Sequence, residues 1–255
     1  MFVHLISKIQ KFYKIMKLLQ KTGLVLAASF MMVACGKSGD TVETTDAQEV
    51  GEATGETLVI DNQSSKVNWK GYKPSGQHYG FIPVTSGELV VAGEEITGGK
   101  FVFSIPDLKI EDLAEGSEDY GKLHGHLQSP DFFDAANHPQ ATFEVTEVTA
   151  YTSNNSVADK DEFASDNTPA SDSELAGSNP THWIAGNLTM RGTTKNIKFP
   201  ATVSITDGAV AAKAGFNIDR TSWGLSYGDE SSAVDKAKDQ FIYNTVSVMF
   251  DINAK

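Results

Sequence analysis

In several stretches of the chain, apolar side chains occupy every second position. The clearest run is Ile197, Phe199, Ala201, Val203 and Ile205, with Asn196, Lys198, Thr202 and Ser204 between them. A side-chain period of two marks a strand with one buried and one solvated face. Asp207-Gly208 follows, a hairpin signal because glycine accepts positive φ. The chain then returns with Val210, Ala212, Ala214, Phe216 and Ile218 on one face. Near the C-terminus, Val246, Val248, Phe250 and Ile252 alternate with Thr245, Ser247 and Asp251. Shorter alternations run through Gly99-Phe101-Phe103, Ala141-Phe143-Val145 and Ile184-Gly186-Leu188-Met190. Pro106 and Pro200 carry no N–H, so each is placed at a strand end, edge or bulge.

One stretch changes period. From Ser117 to Gln128, Tyr120, Leu123 and Leu127 share a helical stripe, and Ser117 is placed to cap it. Gly121 and Gly125 weaken this helix and predict that it is short or broken. A second short helix is expected near Ser231 to Lys238. Residues 153–180 are rich in Asp, Asn and Ser without periodicity, and read as a long surface loop within a hairpin. Many antiparallel strands of similar length predict an all-β fold, a single closed barrel. About eight strands leave an interior filled by side chains or holding one small ligand. Gly186, Ala201, Ala212 and Ala214 are the small inward residues that would leave room.

The first 35 residues differ from the rest. They hold Lys8, Lys11, Lys14, Lys17 and Lys21, with no acid, followed by the 11-residue apolar run Leu24 to Ala34. That run is too short to cross a bilayer as a helix, which takes roughly 20 residues. A basic start, a short apolar core and small residues ahead of a cleavage point describe an export signal. Met32-Val33-Ala34-Cys35-Gly36 places the only cysteine where a bacterial lipobox has its own. Residues 1–35 therefore read as a lipoprotein signal peptide, with Cys35 as the lipid attachment site and the cell envelope as the destination, facing the periplasm or in the outer membrane. Met16-Lys17-Leu18-Leu19 would open a more ordinary signal, so residues 1–15 can be an upstream start-site error. Residues 36–56 hold mostly small and acidic side chains and read as a flexible acidic tether. The domain proper is assigned to 57–255.

Charge narrows the partners. Removing the leader takes away five lysines and no acid, moving the net charge from −12 to −17. A chain this acidic lacks the basic footprint of a nucleic-acid binder. Membrane association by charge alone is disfavoured for the same reason, so a covalent anchor must supply it.

Four stretches resemble the YceI-like family of bacterial periplasmic proteins with a lipocalin-like barrel. The first is Gly125-His126-Leu127-Gln128-Ser129-Pro130-Asp131-Phe132-Phe133-Asp134, continuing through His138-Pro139 to Ala141-Thr142-Phe143. The second runs from Gly186 to Thr194, the third from Phe216 to Gly224, and the last is the closing strand to Ile252. The likeness spans roughly Thr57 to Ile252. It implies an eight-stranded antiparallel barrel with one or two short helices, which binds polyisoprenoid or related long-chain lipid in its interior and catalyses nothing. His78 and Gly80, in a Pro- and Gly-rich stretch, are poor counterparts of the His and Gly that the family carries in an early strand.

The candidate ligand-binding residues follow. Phe101, Phe103, Phe143, Val145, Phe199, Phe216, Val248 and Phe250 would bury an apolar chain. Arg220 would pair with a pyrophosphate or carboxylate head group, or with one of the chain's many acids; Lys195 and Arg191 are weaker candidates of the same kind. Asp131 is expected to cap a turn, and Phe132 and Phe133 to plug one end of the barrel. His124, His126 and His138 invite a metal reading, but His124 and His126 would point to different sides of a helix and nothing clusters with them, so no metal and no cofactor is expected. No nucleophile elbow or dinucleotide loop is present. Two other readings stay open: a structural or interaction lipoprotein with a filled barrel, and an accessory protein handling quinone-like molecules. Homodimerisation is also left open.

Overall fold

The computed structural model describes residues 41–153, 162–176, 179–234 and 241–255. The leader and Cys35 lie outside the described residues. Among the described residues are eleven strands: β1 Glu43–Asp46, β2 Glu56–Val59, β3 Lys66–Lys73, β4 Gly76–Ala92, β5 Glu95–Ser104, β6 Lys109–Ile110, β7 Gln140–Ala150, β8 His182–Met190, β9 Thr193–Thr206, β10 Ala209–Asp219 and β11 Thr245–Ala254. Eight of them close a barrel in the order β9-β10-β11-β3-β4-β5-β7-β8, with β8 pairing back onto β9, and every pairing is antiparallel. This is the expected eight-stranded lipocalin-like barrel.

Local chemistry sets the hairpins. Asp207 and Gly208 both have positive φ, at 51° and 76°, as a two-residue primed turn requires. Arg191 and Gly192 repeat the arrangement between β8 and β9, with φ of 47° and 73°. The alternating apolar faces of β9, β10 and β11 turn inward, and Ile197, Phe199, Val210 and Phe216 are nearly inaccessible to solvent. Trp223, fully buried after β10, donates its indole N–H to the Leu188 carbonyl at 2.9 Å and ties the turn there to β8.

Helix α1 runs unbroken from Glu118 to Gln128, with Ser117 as its N-cap accepting from the Tyr120 N–H. The two glycines expected to break it have nothing within 4 Å of where a Cβ would lie. They sit on its open side, while Tyr120, Leu123 and Leu127 hold the other side against the barrel. Packing thus outweighs the roughly 1 kcal/mol per glycine of lost propensity. Of the second expected helix, Ser231 and Ser232 belong to a 3-10 turn, Glu230–Ser232, while residues 235–240 fall outside the described residues.

Two expectations about irregular segments are corrected. From Thr41 onward, the supposed tether lies along the barrel. β1 pairs with β9, and Thr41 and Val42 are buried. β2 pairs with β4, and Val59 exchanges backbone hydrogen bonds with Lys255. Few large apolar residues occur there, but unpaired strand edges supply backbone partners instead, a source of binding that composition does not register. Likewise, the described part of the 153–180 loop packs against the barrel. The Asn217 side chain donates to the Ala170 carbonyl at 2.7 Å, Tyr243 donates to the Phe163 carbonyl at 2.6 Å, and Thr245 bonds buried Glu162. A one-turn helix, α2 Asp172–Leu175, lies on Gly215, where a Cβ would come within 2.3 Å of the Leu175 carbonyl oxygen.

Candidate functional site

Inside the barrel is a cavity of about 230 Å³ with an almost wholly apolar wall. All eight apolar residues expected to line it do so: Phe101 and Phe103 from β5, Phe143 and Val145 from β7, Phe199 from β9, Phe216 from β10, and Val248 and Phe250 from β11. The rings form one connected set. Phe199 stacks on Phe216 at 4.2 Å between centroids, and Phe250 meets Phe199 edge-on at 5.3 Å. Phe143 bridges Phe199 and Phe101, at 5.7 and 6.3 Å. Such contacts are favourable beyond the area they bury.

The small inward residues do less than expected. Only Ala212 of the four lines the cavity. A Cβ on Gly186 would lie 2.2 Å from the Phe143 ring, so the space left by this glycine is taken by that ring. Ala201 is fully buried without reaching the cavity.

Arg220 also lines the cavity, at the end nearer α1, and its partners within the protein are carbonyls, not the acid expected. Its Nε donates to the Tyr243 carbonyl at 3.1 Å, one terminal nitrogen to Leu225 and the other to Ile242 at 3.0 Å. The guanidinium lies 5.8 Å from the Phe132 ring centroid. Among the described residues no carboxylate comes within ion-pair distance of it. Burial lowers its pKa, and Asp219, Asp229 and Glu230 oppose that from a distance. Three donors are therefore spent on holding the 225 and 241–243 segments together. Lys195 and Arg191 are not on the cavity wall: Lys195 pairs with Asp46 at 2.9 Å and Arg191 donates to the Gly224 carbonyl at 2.7 Å.

The Asp131–Asp134 motif closes the same end. Phe132 is buried, Phe133 is half-buried, and both line the cavity. The turn is held by Ser129 and Asp134, not by Asp131. Asp134 has φ of 49°; its N–H donates to the Ser129 carbonyl, and its carboxylate accepts from the Asn137 side chain at 3.0 Å. Asp131 instead faces His126 at 3.4 Å. His126 is wedged between Phe132 and Tyr227, His124 stacks on Tyr120, and His138 abuts Gly192. Among the described residues no three His, Cys, Asp or Glu are grouped to hold a metal.

Several wall residues were not among the candidate ligand-binding residues: Ile197 and Leu127, read only as apolar positions of a strand and a helix, and Trp69, Ile82 and Ile242, not read at all. Val67, Trp69 and Gly71 alternate with Lys66, Asn68 and Lys70, a signal that would have found Trp69. His78 and Gly80 lie in β4 after all. Gly80 lets β6 approach, since a Cβ there would meet the Lys109 carbonyl oxygen at 1.9 Å. His78 bonds Asp112 at 2.7 Å and lines the cavity beside exposed Lys73 and Gln77, where the interior reaches the surface.

The profile of the YceI-like domain matches residues 58–254, nearly all of the barrel. The chain belongs to the YceI-like family. Among solved structures, this YceI-like barrel is similar to BcnA of Burkholderia cenocepacia, with a TM-score of 0.50 at 16% identity over 77% of this chain and 99% of the other. It is also similar to a polyisoprenoid binding domain from Saccharophagus degradans implicated in plant cell wall breakdown, with a TM-score of 0.47 at 14% identity over 78% and 97%. A YCEI protein of Campylobacter jejuni gives a TM-score of 0.39 at 16% identity over 68% and 83%. At these identities the likeness to BcnA is one of fold. No curated protein sequence matches the chain.

Proposed function

We propose that this protein holds a long-chain apolar ligand, a polyisoprenoid or a lipid of similar length, inside its barrel, as a lipid-anchored storage or carrier protein of the cell envelope. The observation that carries the reading is the cavity. Its wall offers water almost no hydrogen-bonding partner, and cavities of that kind stay dry and take up apolar guests. Each buried methylene contributes about 0.8 kcal/mol, and micromolar affinity takes about 8 kcal/mol. Burial of some ten to fifteen carbons is therefore enough after the ordering costs of the chain. No reaction is needed for this role. The presence of a cavity speaks against the filled-barrel alternative. The isoprenoid class rests on family resemblance, and the anchor on the position of Cys35 directly after the apolar run.

The test is native mass spectrometry of the full-length protein purified from membranes, with organic extraction of what co-purifies. A stoichiometric long-chain lipid in the extract, together with a mass increase at Cys35 that Cys35→Ser abolishes, is the expected result. A protein that stays free of ligand after challenge with isoprenoids overturns the carrier reading. An unmodified Cys35 overturns the anchor alone.

A further inference from the structure

The barrel wall has a seam. β9 and β10 leave their shared turn as a regular ladder, but the ladder stops at Thr202 and Lys213. Ala201 turns its carbonyl toward β8, where the Thr181 N–H donates to it. By the alternation of a strand, Pro200 next to it faces β10, and it has no N–H to offer. Beyond this point β10 pairs only with β11, and the matching half of β9 pairs on that side with β1. β1 fills the gap. Glu43 to Asp46 pair with Lys198 to Lys195 on one side; on the other, the Val42 N–H donates to the Asn217 carbonyl at 2.9 Å, next to Thr41, itself in a β-bridge. Val42 joins the barrel's core cluster at the seam, 5% exposed. On the inside the seam is bridged by the Phe199–Phe216 stack, and Ile197 and Ile218 flank it on the cavity wall.

We infer that this seam is a lateral portal to the cavity and that residues 41–48 are its removable wall strand; the inference rests on the ligand-binding reading above. The strap is fastened lightly. Besides its four-residue ladder it has an exposed ion pair, Asp46 with Lys195, a kind of contact worth little. Its last tie is a reciprocal pair with buried Asn187, whose side chain donates to the Gln48 carbonyl and accepts from the Gln48 N–H. Beyond Thr41 and Val42 the strap buries little, residues 43–48 being exposed or half-buried, and segments held by few buried contacts open first. A long flexible ligand that leaves sideways through a widened seam need not be drawn lengthwise past the α1 end, where Phe132 and Phe133 stand. β1 also precedes residue 58, where the family match begins. Residue 41 lies six positions after Cys35, a reach of at most about 20 Å; with Cys35 acylated, the seam is held near the membrane from which a lipid would come.

The test is stopped-flow exchange of cis-parinaric acid, which fluoresces in apolar surroundings, from the full chain carrying Cys35→Ser. Val42→Asp puts a charge in the seam and is expected to speed release at least tenfold. Glu43→Cys with Lys198→Cys, paired across β1 and β9 at a spacing that suits a disulfide, is expected to slow release at least tenfold when oxidised and to regain the original rate when reduced. Hydrogen exchange on Val42→Asp checks that amides outside the seam stay protected; if that variant does not fold, the disulfide pair decides alone. Release rates within twofold of the unaltered chain in every folded variant overturn the portal while leaving the binding role intact. Failure of the unaltered chain to bind the probe at all overturns both.

Discussion

At the scale of single residues, two positions carry more than their size suggests. Gly186 is the place where the Phe143 ring crosses the barrel wall. Gly186→Ala would set a methyl 2.2 Å from that ring and 2.8 Å from the Glu144 carbonyl oxygen. A destabilisation of about 1–3 kcal/mol is expected, the usual range for overpacking. Thermal unfolding measures it, and the added change Phe143→Leu should recover part of the loss. Arg220 was legible as important but not in its role. Its sequence neighbours suggest an anion partner; its actual partners are carbonyls of residues 225, 242 and 243, which only the folded chain brings near it. Arg220→Met leaves three buried carbonyls without donors and is expected to cost roughly 3–5 kcal/mol in a denaturant titration, since each unsatisfied group costs about 1–3. Arg220→Lys should recover little, because one ammonium cannot span the fork.

Elements follow from pattern where the pattern is long. β9, β10 and β11 were readable because each keeps its period through eight or more residues and the first two are joined by a glycine turn. β4 was not, although at 17 residues it is the longest strand. It carries Gly and Pro residues and register shifts between Val84 and Ser86 and between Val90 and Val91, which break the alternation. β1 has no apolar alternation at all; it is a strand because β9 has an edge to fill. Its ion pair has a pH dependence with a definite sign. The Lys195 hydrogen bond and charge hold the Asp46 carboxyl below its ordinary pKa. A depressed pKa in the folded state stabilises above the ordinary value and is lost as pH falls through the depressed one. Acidification below about pH 4 should therefore loosen β1 modestly, seen as faster hydrogen exchange at residues 43–46. Asp46→Asn should remove that dependence.

For the molecule as a whole, the cavity is the property from which function follows. Enlarging it by Phe199→Ala removes the ring shared by three aromatic contacts. Stability should fall by about 3–5 kcal/mol, the range for a large side chain lost from a core. The added space should admit bulkier apolar ligands, and binding of long-chain lipid should then raise the melting temperature more in this variant than in the unaltered chain. Calorimetry with and without lipid checks both halves.

The sequence by itself determined the class of fold, the Asp207–Gly208 hairpin turn, helix α1 and the eight apolar residues that meet in the barrel. Each of these follows from local periodicity, and a period of two sorts side chains to one face before any partner strand is known. The tertiary structure alone decided the fate of Arg220's donors, the filling of Gly186's space by Phe143, and the insertion of residues 41–46 between β9 and β10. These depend on groups from 5 to 175 positions apart in the chain, and on backbone edges left open by a proline, neither of which leaves a trace in the pattern of apolar and polar positions.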